Sequence, residues 1–146
     1  GVEVENSRGV AQFDLSANGA VAYAPGDVMA RGILVRADRA GKLDTLPLPA
    51  DAYAGIEVSP DGRRLALVVD EGESIAISVF DMESQRLSRW ISGVDIASVA
   101  WRGDGRHLVV VRDDSAFVGD PDTSAPLQPL PQAVLLGDGE ELFTVQ

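Results

Sequence analysis

Apolar and polar residues alternate along this chain in short runs. Ile56 and Val58 are apolar and alternate with polar Glu57 and Ser59, which is the pattern of a strand with two unlike faces. Other runs are apolar throughout, such as Leu65 to Val69 and Leu108 to Val111, as expected of strands covered on both sides. No stretch sustains a helical period of about 3.6. The chain reads as all-β.

The runs recur. Phe13 to Gly19, Ile56 to Gly62, Val99 to Gly105 and Ala133 to Gly139 each close on Asn-Gly or Asp-Gly, a dipeptide that supplies the positive-φ positions of a tight hairpin. Gly19, Asp61, Gly62, Asp104, Gly105, Asp138 and Gly139 are thus turn residues joining a first strand to a second. Their glycines lie 43, 43 and 34 residues apart, and a period of about forty is the signature of four-stranded propeller blades. A third strand then ends on Asp38, Asp81 or Asp120, and a fourth starts at Leu43, Leu87 or Leu127. Two of the fourth strands run into proline, at Leu46-Pro-Leu-Pro49 and Pro129-Leu-Pro131, as an outermost strand tolerates.

The pattern predicts a β-propeller segment of about three four-stranded antiparallel blades plus the first hairpin of a fourth. Its units cover about 11–49, 54–92, 97–131 and 133–146, behind an N-terminal extended strand within 1–10. The chain opens at Gly1 already inside a strand-like pattern, so it reads as part of something longer. Val58, Leu65, Leu67, Val79, Val99, Trp101, Leu108, Val110, Leu135 and Leu142 are the expected packing between blades.

At Ser59-Pro60-Asp61-Gly62-Arg63-Arg64-Leu65-Ala66 the sequence resembles the PD40, or TolB-like, propeller repeat, whose hallmark is Ser-Pro-Asp-Gly. The other units depart from it, with Ser16-Ala17-Asn18-Gly19, Arg102-Gly103-Asp104-Gly105 and Leu136-Gly137-Asp138-Gly139 in its place. WD40 proper fits less well, because neither Gly-His nor Trp-Asp occurs. The order Phe13-Asp-Leu-Ser, Ala22-Tyr23-Ala-Pro-Gly26, Leu34 to Gly41 and Leu46-Pro-Leu-Pro49 is similar to propellers C-terminal to bacterial serine/threonine protein kinases. That resemblance implies a domain that senses or binds.

Charge narrows the partners. Asp and Glu number 23 against 12 Lys and Arg, a formal net charge of −11, which disfavours nucleic acid and anionic lipid surfaces. With no cysteine there is no disulfide, thiolate metal site or thiol nucleophile. The longest apolar runs are too short to insert in a bilayer. Nothing distinguishes an extracytoplasmic from a cytoplasmic setting.

Chemistry is sparse. His107 is the only histidine, and it sits in a strand beside a hairpin with neither a Gly-x-Ser-x-Gly elbow nor kinase signatures elsewhere. The acidic groups Asp70-Glu71-Gly72-Glu73, Asp113-Asp114, Asp120-Pro-Asp122 and Asp138-Gly-Glu140-Glu141 fall in turns and lack calcium-loop spacing. We therefore expect no catalytic residue, no cofactor and no metal ligand. Among the aromatics, Tyr53 and Trp90 lie outside the repeated strand positions and are the candidates for an exposed binding surface.

The reading is a non-catalytic scaffold that binds protein or a small ligand, as a sensor or interaction region of a larger bacterial protein. Its alternative is a substrate-gating propeller of a serine peptidase of the prolyl oligopeptidase kind. A propeller enzyme in its own right, such as a glycosidase using paired carboxylates, is a third class. Counting strands also predicts a homo-oligomer that completes the ring, with Val2 to Glu5 adding to the incomplete blade of a second copy.

Overall fold

Repeated hairpins fold here into separate antiparallel sheets. The computed structural model describes residues 31–130 in full and, outside them, the backbone pairing of four short strands. Sheet one runs in the order β1 (Phe13–Leu15), β2 (Val21–Tyr23), β3 (Val35–Ala37) and β4 (Leu43–Thr45). Sheet two is β5 (Tyr53–Val58), β6 (Arg64–Asp70), β7 (Ile75–Asp81) and β8 (Arg86–Gly93). Sheet three is β9 (Ile96–Trp101), β10 (Leu108–Arg112), β11 (Ser115–Gly119) and β12 (Gln128–Pro129). The last pair, β13 (Ala133–Val134) and β14 (Phe143–Thr144), is a two-stranded sheet. Every sheet is an up-and-down meander with antiparallel neighbours.

Turn chemistry sets the register. Val58 pairs with Leu65 and Trp101 with Leu108, so equivalent loops join the first and second strands of sheets two and three. Gly62 and Gly105 sit at φ 72° and 67°, where a side chain bearing a Cβ is strained. In each loop an aspartate carboxylate accepts nearby N–H groups: Asp61 from Arg63, and Asp104 from Arg106 and His107. The calls at Gly19, Asp138 and Gly139 lie outside the described residues, as do Leu135, Leu142 and the extended strand within 1–10.

Strand alternation puts a core on each side of sheet two. Leu65, Leu67 and Val69 face sheet one and share a core with Tyr53, Ile56 and Phe80 of their own sheet and with Leu34 and Leu46, which flank β3 and β4. Ala66, Ile77 and Val79 face sheet three and meet Val99, Leu108 and Val110, with Trp90, Ile91 and Trp101 at the margin. A strand buried on both faces cannot alternate polar with apolar, which accounts for the continuous apolar run of β6. Of the expected packing residues described, Val58 and Trp101 are only partly buried and the others are enclosed.

Two fourth strands are shorter than their sequence suggested. β4 covers three residues, and β12 covers Gln128–Pro129 rather than starting at Leu127. Proline at positions 47, 49 and 129 withholds ladder donors on both. β8 has no proline and runs for eight residues.

Candidate functional site

Turns at one end of the sheets contain most of the repeated polar residues. Asp38, Asp81 and Asp120 stand at the ends of the third strands and accept the backbone N–H groups of Ala40, Lys42, Glu83, Ser84 and Asp122. The N–H groups and hydroxyl of the Ser84 turn hold Asp81 below the usual carboxylate range, and the Asp122 N–H does the same for Asp120. Ser59 is buried, and its hydroxyl donates to Asp61 at 2.6 Å while accepting the Arg64 N–H at 2.9 Å. That hydroxyl is the main reason Asp61 titrates low. Partial burial pushes Asp104 upward, but the N–H groups of His107 and Arg106 and the His107 ring outweigh it and hold the carboxyl well below its ordinary value.

Charged side chains at this end also join the sheets. Arg64 of β6 crosses to sheet three, donating to Asp122 at 3.0 Å and to the Gly105 carbonyl, with its guanidinium carbon 4.7 Å from the Trp101 ring centroid. Trp101 Nε1 donates back to the Glu57 carbonyl of β5 at 3.0 Å. Arg106 donates to Asp120 at 2.7 Å, and His107 Nδ1 lies 2.7 Å from Asp104. His107 is therefore engaged with a turn carboxylate.

At the opposite end the acidic turns also follow local rules. Asp70 accepts the Gly72 N–H, and Glu71 accepts from both terminal nitrogens of Arg89. That fork holds Glu71 low and Arg89 high. Asp113 and Asp114, at φ 49° and 57°, form the two-residue loop of the β10–β11 hairpin. Both central residues of a type I′ turn need positive φ, and aspartate supplies it here without glycine. Among the described residues no group of three His, Cys, Asp or Glu side chains could hold a metal ion.

The two aromatic candidates are not an exposed pair. Tyr53 is 5% exposed, within the core between sheets one and two, and its hydroxyl donates to the Pro49 carbonyl at 2.6 Å. Burial, with Asp51 second, raises its pKa. Tyr53 is the first residue of β5 and points inward with its hydroxyl on a backbone acceptor, which corrects the expectation of a surface tyrosine. Trp90 is half-buried. It occupies a bulge in β8, because Ile77 pairs with Ile91 while Ser78 pairs with Arg89. The bulge turns the indole onto sheet three at Gly119, where an added Cβ would lie 2.6 Å from Trp90 Cζ2.

A surface absent from the sequence reading lies beside Trp90. Ile91 and Ser92 of β8, Arg112 and Phe117 of sheet three, and Pro126 and Leu127 line an open groove of about 450 Å³ between the two sheets. The Arg112 guanidinium carbon lies 5.0 Å from the Phe117 ring centroid. No sequence motif marks this groove, because its walls come from two repeats.

No family model and no curated protein sequence matches the chain. Solved structures do. TolB from Acinetobacter baumannii superposes at a TM-score of 0.64 with 17% identity, over 82% of this chain and 31% of TolB. The propeller domain of the trilobed protease from Pyrococcus furiosus gives 0.53 at 17% identity, over 75% of this chain and 39% of that domain. Two prolyl endopeptidases are the subject of a further matching structure, at 0.61 and 15% identity, over 84% of this chain and 22% of the enzyme. The chain thus spans less than half the length of each. Its fold is that of a β-propeller segment, all-β and built of antiparallel blades.

Proposed function

We propose that this chain is a non-catalytic propeller scaffold that binds a protein or small ligand, as the sensor or interaction region of a larger bacterial protein. One observation supports it above the others. The polar side chains that repeat from sheet to sheet are engaged in turns and in blade-to-blade bonds, with His107 on Asp104, Arg106 on Asp120 and Arg64 on Asp122. The similarity to propellers attached to kinases fits a domain that carries a binding surface while chemistry resides elsewhere. Incubation with a panel of peptidase and glycosidase substrates at high protein concentration tests this reading. No turnover above a heat-unfolded control is expected; turnover that His107→Ala removes would overturn it.

A second reading is favoured by the structural likeness to prolyl endopeptidase, in which case the propeller gates substrate for a hydrolase domain. A Gly-x-Ser-x-Gly hydrolase in the same polypeptide would decide for it, and a kinase domain would decide for the sensor. In either setting we propose that the ring is completed by further blades, including those of a second copy. Light scattering at micromolar concentration distinguishes that homo-oligomer from a monomer.

A further inference from the structure

The outer edge of sheet two differs from the other two. β4 and β12 are short and bounded by proline, which blunts an edge against pairing. β8 extends from Arg86 to Gly93 without proline, and among the described residues no strand pairs with its outer side. Apolar residues are exposed at its ends, Leu87 at 43% and Val94 just beyond it at 71%. The groove of Ile91, Phe117 and Leu127 opens beside Ile91 and Ser92 of β8, just past the Trp90 bulge.

The charge in that groove indicates what would bind there. Arg112 lines the groove, stacks on Phe117 and, like Arg86 at the start of β8, has no carboxylate within ion-pair distance among the described residues. A cation held against an aromatic face and bordered by apolar walls is suited to a carboxylate that arrives with an apolar neighbour.

We infer that the β8 edge and this groove form a docking site for an extended segment of a partner protein, added as a fifth strand with an apolar side chain in the groove and a carboxylate on Arg112. Such strand addition draws affinity from main-chain hydrogen bonds and specificity from alternate side chains. This inference rests on the scaffold reading and gives it a site and a class of partner.

The test uses a dye-labelled peptide of alternating valine and threonine, matched in length to β8 and carrying one glutamate, titrated by fluorescence anisotropy against the whole chain. Saturable binding is expected. N-methylation of one alternate set of peptide amides should abolish it, and methylation of the other set should leave it intact, because only one set faces β8. Arg112→Glu should weaken the glutamate peptide about tenfold and strengthen its lysine counterpart. The methylation comparison needs no protein variant, so an unfolded Arg112→Glu would not rescue the idea. No binding up to about 1 mM, equal loss with either methylated set, or displacement of the probe by a dimer of this chain overturns the inference. Binding indifferent to Arg112→Glu in a folded variant overturns the site but leaves the scaffold reading standing. Hydrolysis of the probe overturns the scaffold reading itself.

Discussion

Arg64 of sheet two stacks on Trp101 of sheet three, and Trp101 hydrogen-bonds back to sheet two. The guanidinium of Arg64 lies over the Trp101 ring at 4.7 Å, and the Trp101 indole returns a hydrogen bond to Glu57, on the strand next to that of Arg64. Each sheet lends the other one side chain, so separation of the blades breaks both contacts at once. Arg64 also donates to Asp122, which places its charge between an aromatic face and a turn carboxylate of the same neighbouring sheet.

Removal of either residue should therefore loosen the junction. Trp101→Ala is expected to cost about 2–4 kcal/mol, toward the lower end of the usual range for a core tryptophan because the ring is only partly buried. Arg64→Ala should cost about 1–2 kcal/mol. A double-mutant cycle in urea should return a coupling of about 0.5–1.5 kcal/mol, and additive losses would show that the stack contributes nothing.

Trp90 and Gly119 make the second junction. A Cβ at Gly119 would lie 2.6 Å from Leu127 Cδ2 and from the Trp90 ring, so Gly119→Ala should destabilise by about 1–3 kcal/mol through overpacking. In a Trp90→Leu background the same change should cost clearly less, since one of the two obstacles is gone. Equal cost in both backgrounds would mean that Leu127, not Trp90, sets the limit.

The hairpin loops predict opposite signs at two sites. Gly62→Val forces a β-branched residue to φ 72° and should cost about 1 kcal/mol or more. Asp113→Asn with Asp114→Gly places Asn-Gly in a loop that already has φ 49° and 57°, and should stabilise by about 0.5–1 kcal/mol. Thermal melts of the two variants, taken beside the parent, check both signs.

These cases also show where the sequence was readable. The Asp61-Gly62 and Asp104-Gly105 turns announce themselves because a local backbone requirement selects the residue, and the strands between them follow from spacing. The Asp113-Asp114 loop meets the same requirement without glycine, so its turn type was not legible. Tyr53 and Trp90 are a different case, the first buried and the second half-buried. Their burial depends on the Pro49 carbonyl and on the missing side chain at Gly119, neither of which lies in their own strand. The groove at Arg112 is illegible in the sequence for the same cause, since two of its six lining residues belong to β8.

Acid should act on the turns before it acts on the cores. Asp61, Asp81, Asp104 and Asp120 all have folded pKa values below their unfolded ones, chiefly through hydrogen bonds donated to the ionised carboxylates. The folded state therefore binds fewer protons than the unfolded state through the acid range, and stability falls as pH falls. The contribution is fully present above the unfolded aspartate value of about 4. It is lost as the pH drops through that value toward the lower folded ones. Urea midpoints should be flat from neutral pH to about pH 5 and then decline steeply. Asp104→Asn keeps the shape of the Asp104 side chain but cannot ionise, so it should lower stability at neutral pH and flatten the acid decline. His107→Ala removes the ring partner of the same carboxylate and should flatten it less, because the N–H groups of Arg106 and residue 107 remain. If both variants show the parent's decline, Asp104 is not a group whose titration drives it, and the acid sensitivity belongs to other carboxylates of the chain.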